Sequence, residues 1–312
     1  MPQRMSNVLL ASLAPILWGG MYVASKFLME SINPLALVFA RITIALGFYI
    51  AMEQRTRRNG DVVPWKIRIK AIIVGSLGFG ASTGLQFEGT FLTSAHIAAL
   101  ITAASPLFVV MFAWLILKEK TRAMVLTMLG TAVGCMAIAG NVWGTTRGFR
   151  PLGLLLLFTA ALSWGLYSVL IQPIMARHNP WTVMKYGAFG GLLVLAPFSG
   201  PQFINNVARL VEPTPLGLLI YMGVGSTGLA YVFWTAGIRN LGASTVALLY
   251  FLQPLVAAIL GWALLGERLD GAYLIGGLGV LISVVLGMVL QNRQPRMDPR
   301  TLPKNHREDM AP

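Results

Sequence analysis

The fold is decided by two similar stretches, SPLFVVMFAWLILKE at residues 105–119 and QPLVAAILGWALLGE at residues 253–267. Pro, Leu, Trp, Leu and Glu recur between them at a constant separation of 148 residues. Each stretch belongs to an apolar helix that has a proline near its middle and a charged cluster at its end. Self-similarity at so long a separation indicates an internal duplication.

The two prolines predict a break in each of these helices. A proline has no backbone N–H and crowds the carbonyl four residues before it, so Pro106 frees the carbonyl of Thr102 and Pro254 frees that of Tyr250. Both breaks fall near the bilayer midplane if the helices span about 95–117 and 243–265. Paired broken helices in two halves of a membrane protein predict a transporter's binding site, with the prolines as hinges. Its polar contacts are then Thr102, Ser105, Tyr250 and Gln253. A packing kink without a ligand is the alternative interpretation.

The composition is that of an all-α integral membrane protein. Of its 312 residues, 56% are hydrophobic and 11% are charged, against about a quarter charged in soluble domains. Cys135 is the only cysteine, which excludes an intramolecular disulfide. Runs of about 20 apolar residues can cross the bilayer. We predict ten spans, at about 6–28, 34–53, 67–87, 94–117, 121–141, 151–172, 180–199, 214–236, 242–265 and 269–291.

The duplication extends over both halves of the chain. Trp18-Gly19 matches Trp164-Gly165, and Asn33-Pro34 matches Asn179-Pro180, at a separation of 146 residues. Each half, 1–141 and 150–291, then holds five spans, and residues 292–312 are predicted to be a disordered cytoplasmic tail. Because five is odd, the second copy enters the membrane from the opposite side. The sequence therefore predicts two inverted five-helix repeats, an architecture of alternating-access carriers.

The distribution of Lys and Arg predicts the orientation. With the N-terminus in the cytoplasm, 17 of the 24 basic residues fall in cytoplasmic segments, four outside and three within spans. This bias puts both termini in the cytoplasm. It also accounts for the net charge of +13 without a nucleic-acid partner, because basic loops face an anionic leaflet.

These features resemble the EamA-domain branch of the drug/metabolite transporter superfamily. The resemblance rests on the Trp-Gly pair of span one, the Asn-Pro opening span two, Arg41 within it, and the Pro-x12-Glu element ending each half. It covers about residues 6–291. It implies a multi-pass protein of the bacterial inner membrane that exports small metabolites, such as amino acids including aromatic ones. It also implies a central cavity lined by spans one, three, four, six, eight and nine.

Aromatic residues on these cavity spans are the first candidates for substrate binding. Tyr and Trp offer an apolar face with one polar group, which suits flat or apolar solutes. An interfacial belt or helix packing is the alternative. Trp18 and Trp164 favour the cavity because they lie well inside their spans and repeat symmetrically. The full set is Trp18, Tyr22, Trp164, Tyr167, Tyr231, Trp234 and Tyr250.

Ionisable residues within spans are the second set of candidates, because they are costly in a membrane. One hypothesis is an outer gate in which Glu88 pairs with Lys26 or Arg41, and another is that the cations attract a substrate carboxylate. Ion pairs at the interface are the alternative, and His96 is more typical of packing than of proton transfer. Lys185 is interpreted as reaching the inner interface. Glu119 and Glu267 are expected to cap and pair at the membrane surface.

The leading functional prediction is a carrier that binds a small organic solute and needs no cofactor, metal or partner chain. The eleven Asp and Glu residues all lie at span ends, in loops or in tails, so proton coupling through a midplane carboxylate has no candidate. An exchanger of sugar phosphates or nucleotide-linked solutes, and efflux of organic cations, are the alternatives. A membrane-embedded enzyme is disfavoured, because the spans hold no nucleophile–base pair. One chain suffices for a carrier, so a functional monomer is expected.

Overall fold

The computed structural model describes residues 2–56, 63–117, 130–131, 134, 151–241, 246, 249–267, 269, 271, 274–279 and 282. These residues are helical or lie in short connections, and no strand occurs among them. The expected all-helical class is therefore confirmed. Most of the predicted spans at 121–141 and 269–291, Glu119 and the tail at 292–312 lie outside the described residues.

Eleven α-helices and two π-helical segments make up the described architecture, and six helical stretches of the described residues are long and apolar enough to cross a membrane. We label the elements in chain order. They are α1 (Pro2–Leu28), α2 (Pro34–Thr56), α3 (Trp65–Gly75), π1 (Ser76–Ser82), α4 (Thr83–Phe91), α5 (Ala95–Thr102), α6 (Ser105–Leu117), α7 (Pro151–Met175), α8 (Pro180–Leu210), α9 (Pro213–Ile220), π2 (Tyr221–Leu229), α10 (Ala230–Leu241) and α11 (Leu252–Leu265).

Both proline helices are interrupted where the sequence predicts. Helix α5 ends at Thr102 and α6 begins at Ser105, while a turn at residues 250–251 precedes α11. The freed carbonyl of Thr102 accepts a hydrogen bond from the Ser105 hydroxyl at 2.6 Å. A polar side chain beside the proline thus satisfies a backbone group that lipid could not.

The π-helical segments π1 and π2 occupy corresponding places in the two halves. Gly75 and Gly223, 148 residues apart, lie at or within them. A π-helix bonds each N–H to the carbonyl five residues back and distorts the regular ladder. Side chains of neighbouring helices donate to π2, since Trp18 Nε1 bonds the Ser226 carbonyl at 2.8 Å and the Tyr49 hydroxyl bonds the Thr227 carbonyl at 2.7 Å.

The repeated Trp-Gly pairs let helices cross closely between the two halves. A Cβ on Gly19 would lie 2.7 Å from Cβ of Val256 in α11, and a Cβ on Gly165 would lie 2.4 Å from Cβ of Phe108 in α6. Val256 and Phe108 are themselves 148 residues apart. The first helix of each half therefore packs on the broken helix of the other half, directly after its proline.

Candidate functional site

An aromatic cluster surrounds Trp18 at the centre of the helical bundle. The Trp18 ring centroid lies 5.4 Å from that of Trp164, 5.5 Å from Trp234, 5.6 Å from Tyr250 and 6.0 Å from Tyr231. The rings meet edge to face or tilted, which are the arrangements that aromatic quadrupoles favour. Because α1, α7, α10 and the turn before α11 supply these rings, the cluster joins the two halves.

A small central cavity lies beside this cluster. Its volume open to water-sized molecules is about 20 Å³, enough for about one water molecule. The conformation is therefore contracted around the site, and a larger solute requires the helices to separate. The lining residues are Trp18, Met21, Tyr22, Arg41, Ser82, Gln86, Thr102, Ser105, Ala160, Ala161, Trp164, Tyr231, Tyr250 and Gln253.

The polar part of the cavity wall connects the two helix breaks. Thr102 bonds the Tyr22 hydroxyl through its own hydroxyl and donates to the Ala98 carbonyl at 2.8 Å. Gln253 Nε2 donates to Thr102 Oγ1 at 3.2 Å and to the Ala99 carbonyl at 3.4 Å. Residues predicted from the repeat thus meet across the halves.

Arg41 extends from α2 into the same cavity and is 1% exposed. Its Nε donates to Thr227 Oγ1 at 3.0 Å, and its Nη1 contacts the Met21 thioether. Its guanidinium carbon lies 4.9 Å from the centre of the Phe87 ring. No carboxylate of the described residues pairs with it.

At one end of the bundle, which we call the Lys26 face, hydrogen bonds fasten α1 to the connection between α4 and α5. Lys26 Nζ donates to the carbonyls of Thr90 at 3.2 Å, Phe91 at 3.1 Å and Thr93 at 2.5 Å. The described part of the chain shows no ion pair between Glu88 and Lys26 or Arg41. In this conformation Lys26 donates to backbone carbonyls, and an outer gate in which Glu88 pairs with Lys26 or Arg41 stays a prediction.

Glu267 forms a second set of polar contacts at the Lys26 face. Its carboxylate accepts hydrogen bonds from the backbone N–H groups of Ala95 at 2.8 Å and His96 at 3.1 Å, and it pairs with His96 Nδ1 at 2.6 Å. This is a cap on the N-terminus of α5, where the helix dipole favours negative charge. The expected capping role of Glu267 is thereby confirmed. Burial opposes ionisation, but the hydrogen bonds with His96 and the two backbone groups outweigh it and lower the pKa of Glu267.

We expect the contacts of Glu267 with Ala95 and His96 to stabilise the protein at neutral pH and to weaken in acid. Because the pKa is lowered on folding, the contribution is present above the ordinary carboxyl pKa and is lost as the pH falls through the lowered value. Glu267→Gln should reduce thermal stability at pH 7 by about 1–3 kcal/mol, and the difference from wild type should shrink below about pH 4. Thermal unfolding in detergent across pH measures this, with exposed Glu30→Gln as control. Equal stability of wild type and Glu267→Gln at pH 7 would contradict it.

Helix α7 carries a contrasting row of buried polar groups. Trp164, Ser168 and Gln172 stand four residues apart and so share one face. Trp164 Nε1, Ser168 Oγ and Gln172 Nε2 are buried, and none has a hydrogen-bond partner among the described residues. Gln172 also lines a second cavity of about 20 Å³, beside Arg239, at the opposite end of the bundle, which we call the Gln172 face.

The α7 row matches Trp18, Tyr22 and Lys26 of α1, each 146 residues earlier. The α1 members are all hydrogen-bonded, to π2, to Thr102 and to the carbonyls at the Lys26 face. Leaving a buried polar group unpaired costs about 1–3 kcal/mol. The polar groups at the Lys26 face are therefore hydrogen-bonded, and the corresponding groups towards the Gln172 face have no partners in the described part of the chain.

The structure brings most of the predicted site residues together. Of the aromatic and polar set, eight line the cavity, whereas Tyr167 and Trp234 stand behind them. Tyr167 donates to the Met184 sulfur at 3.6 Å, and Trp234 packs on Trp18 and Tyr250. The lining residues Met21, Ser82 and Gln86 were missed, although Gln86 was recognisable as a polar residue inside a span.

Lys185, interpreted from the sequence as reaching the inner interface, forms an ion pair near the start of α8. Its Nζ pairs with the Glu53 carboxylate at 2.5 Å, and Thr182 donates to the same carboxylate at 2.8 Å. Sequence spacing could not reveal this, because Glu53 ends α2 and Lys185 lies near the start of α8.

The structure is a bundle of apolar helices around a central aromatic and polar cavity, and two of these helices are broken beside the cavity. These features are typical of a membrane transporter. The chain belongs to the EamA-like transporter family, whose model matches residues 5–143 and 151–289. This finding confirms the resemblance, and the family is one of transporters and not of enzymes.

Several proteins are similar to this chain over most of their length. An uncharacterized transporter of Archaeoglobus fulgidus is 25% identical over 91% of this chain and 98% of its own. Protein PecM of Dickeya dadantii is 24% identical over 88% and 89%. A probable terminal-alkyne amino-acid exporter of Streptantibioticus cattleyicolor is 25% identical over 90% and 92%. One crystal structure, 20% identical, matches with a TM-score of 0.65 over 93% of this chain and 98% of its own, which shows a shared fold.

Proposed function

We propose that the protein is a carrier that exports small organic metabolites, foremost amino acids including aromatic and apolar ones, across the bacterial inner membrane. The observation that carries this proposal is the pair of matching rows, Trp18–Tyr22–Lys26 and Trp164–Ser168–Gln172, which meet at the central cavity. The first row is hydrogen-bonded and the second has no partners among the described residues, as expected when a carrier closes one access route at a time. The name of the Streptantibioticus relative supports amino acids as the substrate class.

The proposed architecture has ten spans in two inverted five-helix repeats, residues 1–141 and 150–291. Cross-packing of Gly19 on α11 and Gly165 on α6 supports a two-fold relation between the halves. By the positive-inside rule both termini are cytoplasmic. The Lys26 face is then outside and the Gln172 face is cytoplasmic. The lipid bilayer and the substrate are the proposed partners, and one chain carries both repeats.

Transport is proposed to run down the substrate gradient. Among the described residues that line the cavity, Arg41 is the ionisable group of fixed charge, and no carboxylate is present to carry a proton. Exchange of phosphorylated sugars would need several cations at the site. Efflux of organic cations is disfavoured by a buried guanidinium in the cavity wall.

Counterflow in liposomes tests the function. Liposomes that contain the purified protein are loaded with unlabelled amino acid. Radiolabelled phenylalanine, tryptophan, leucine or alanine is then added outside, with and without a pH gradient. We expect saturable counterflow of the aromatic and apolar substrates, at a rate that does not depend on the pH gradient. Movement that follows the pH gradient would contradict uncoupled transport. No counterflow by any of the four would contradict the amino-acid assignment.

A further inference from the structure

We propose that Arg41 is the anchor for a substrate carboxylate, so that the cavity selects anionic groups attached to a flat or apolar body. This inference rests on the proposed function and names the chemistry of that same site. It assigns one role to each part of the cavity. Arg41 holds the carboxylate, and the aromatic cluster around Trp18 packs against the remainder of the substrate.

The first argument is the cost of an isolated buried cation. Arg41 is 1% exposed, remains charged at any physiological pH, and has no carboxylate partner in the described part of the chain. A charge removed from water without an ionic partner is strongly unfavourable within a membrane. Such residues are retained where they meet a partner during function. A substrate carboxylate supplies that partner.

The second argument is the way in which Arg41 is held. The Thr227 hydroxyl donates to the Met222 carbonyl at 2.8 Å and accepts from Arg41 Nε at 3.0 Å. The guanidinium carbon lies 4.9 Å from the centre of the Phe87 ring, within the range of a cation–π contact. These contacts orient the guanidinium and use one of its five N–H groups. A planar, oriented guanidinium suits bidentate recognition of a carboxylate.

The third argument concerns Met21, which lines the cavity and contacts Arg41 Nη1 through its sulfur. A thioether is a weak acceptor on a flexible side chain. It is a poor partner for a cation but is easily displaced. We assign Met21 the place that a carboxylate oxygen takes when substrate enters. Trp164 adds an indole N–H for which the described residues provide no acceptor, and it lines the same cavity as Arg41.

The test compares ligands that differ only in the charged group. The probes are 3-phenylpropionate, 3-phenylpropanamide, L-phenylalanine, L-phenylalaninamide and 2-phenylethylamine. Their binding is measured by thermal stabilisation of the purified protein in detergent, and their competition by counterflow of labelled phenylalanine. In wild type, each acid should bind at least about 30-fold more tightly than its amide, as expected for a desolvated charge pair. 2-Phenylethylamine should not compete.

Arg41 variants complete the test. Arg41→Gln should weaken binding of the acids at least about 30-fold and leave the amides within about 3-fold. Arg41→Lys keeps the positive charge but loses the planar, forked arrangement of N–H donors. Its affinity for the acids should therefore lie between those of wild type and Arg41→Gln. Arg68→Gln is the matched control, because Arg68 bonds the Val63 carbonyl at 2.8 Å and does not line the cavity.

The outcomes separate this inference from the proposed function. Equal binding of acids and amides by wild type, a comparison that needs no variant to fold, would overturn the role of Arg41. Binding of none of the carboxylates would overturn it also. Acid-selective binding without counterflow would support the anchor while contradicting the carrier. If 2-phenylethylamine inhibits counterflow as strongly as the acids do, the proposed carrier function would stand and the role of Arg41 as a carboxylate anchor would be overturned.

Discussion

Ser168→Cys is expected to react with a membrane-impermeant maleimide added at the Gln172 face at least about ten times faster than Ser25→Cys reacts from the Lys26 face. Both variants are made in a Cys135→Ser background, which removes the only native cysteine. The two serines are each 1% exposed in the structure. Any difference in labelling therefore reports how readily each route opens, and not static exposure.

The reason for this difference lies in the hydrogen bonds of the two routes. Lys26, one residue from Ser25, donates to three carbonyls, and Glu267 caps α5 at the same face. Opening this end breaks these contacts. The Ser168 hydroxyl and its neighbours on α7 have no described partners. Opening towards the Gln172 face therefore breaks fewer bonds and hydrates polar groups that are otherwise unpaired.

Depth alone predicts the opposite result, which makes the comparison decisive. Ser25 lies three residues from the end of α1, whereas Ser168 lies seven residues from the end of α7. Labelling in right-side-out and inverted vesicles distinguishes the two faces and also checks the proposed orientation. If Ser25→Cys reacts as fast as Ser168→Cys, the Lys26 face is not the sealed one. Lys26→Met should then have no further effect on labelling at position 25.

The duplicated pattern made the centre of the molecule predictable. Pro106 and Pro254 located both helix breaks, because the missing N–H is a property of the residue itself. Trp18 and Trp164 were placed in the centre by their equal positions in the repeat. These inferences depend on local chemistry and on symmetry, both of which can be read along one chain.

Other features depend on contacts between distant residues and could not be read in this way. Trp18 bonds the Ser226 carbonyl across 208 residues, an acceptor that π2 presents. Nothing in the glycine-rich sequence distinguishes a π-helical segment from a closely packed α-helix. Lys26 was recognised as a charged residue near a helix end, but its partners are backbone carbonyls. Backbone acceptors leave no trace in side-chain spacing.

Replacing the two prolines by alanine is expected to reduce transport strongly without destabilising the protein. In Pro106→Ala the new N–H can donate to the Thr102 carbonyl, which now accepts from the Ser105 hydroxyl at 2.6 Å. The segments α5 and α6 can then continue as one helix. A helix-interior proline costs about 3 kcal/mol relative to alanine. A bias of even 2 kcal/mol towards one conformation lowers the population of the other about 30-fold.

We therefore expect Pro106→Ala and Pro254→Ala each to lower the counterflow rate at least about 10-fold, with thermal stability equal to wild type or higher. Affinity for the substrate should change little, because neither proline is among the residues lining the cavity. Pro197→Ala is the matched control, because Pro197 is exposed inside the continuous helix α8. Full transport by both variants would mean that the breaks are packing kinks. Reduced transport with equal or higher stability would identify them as the joints at which the halves rearrange, because a loss of folded protein could not then account for the lower rate.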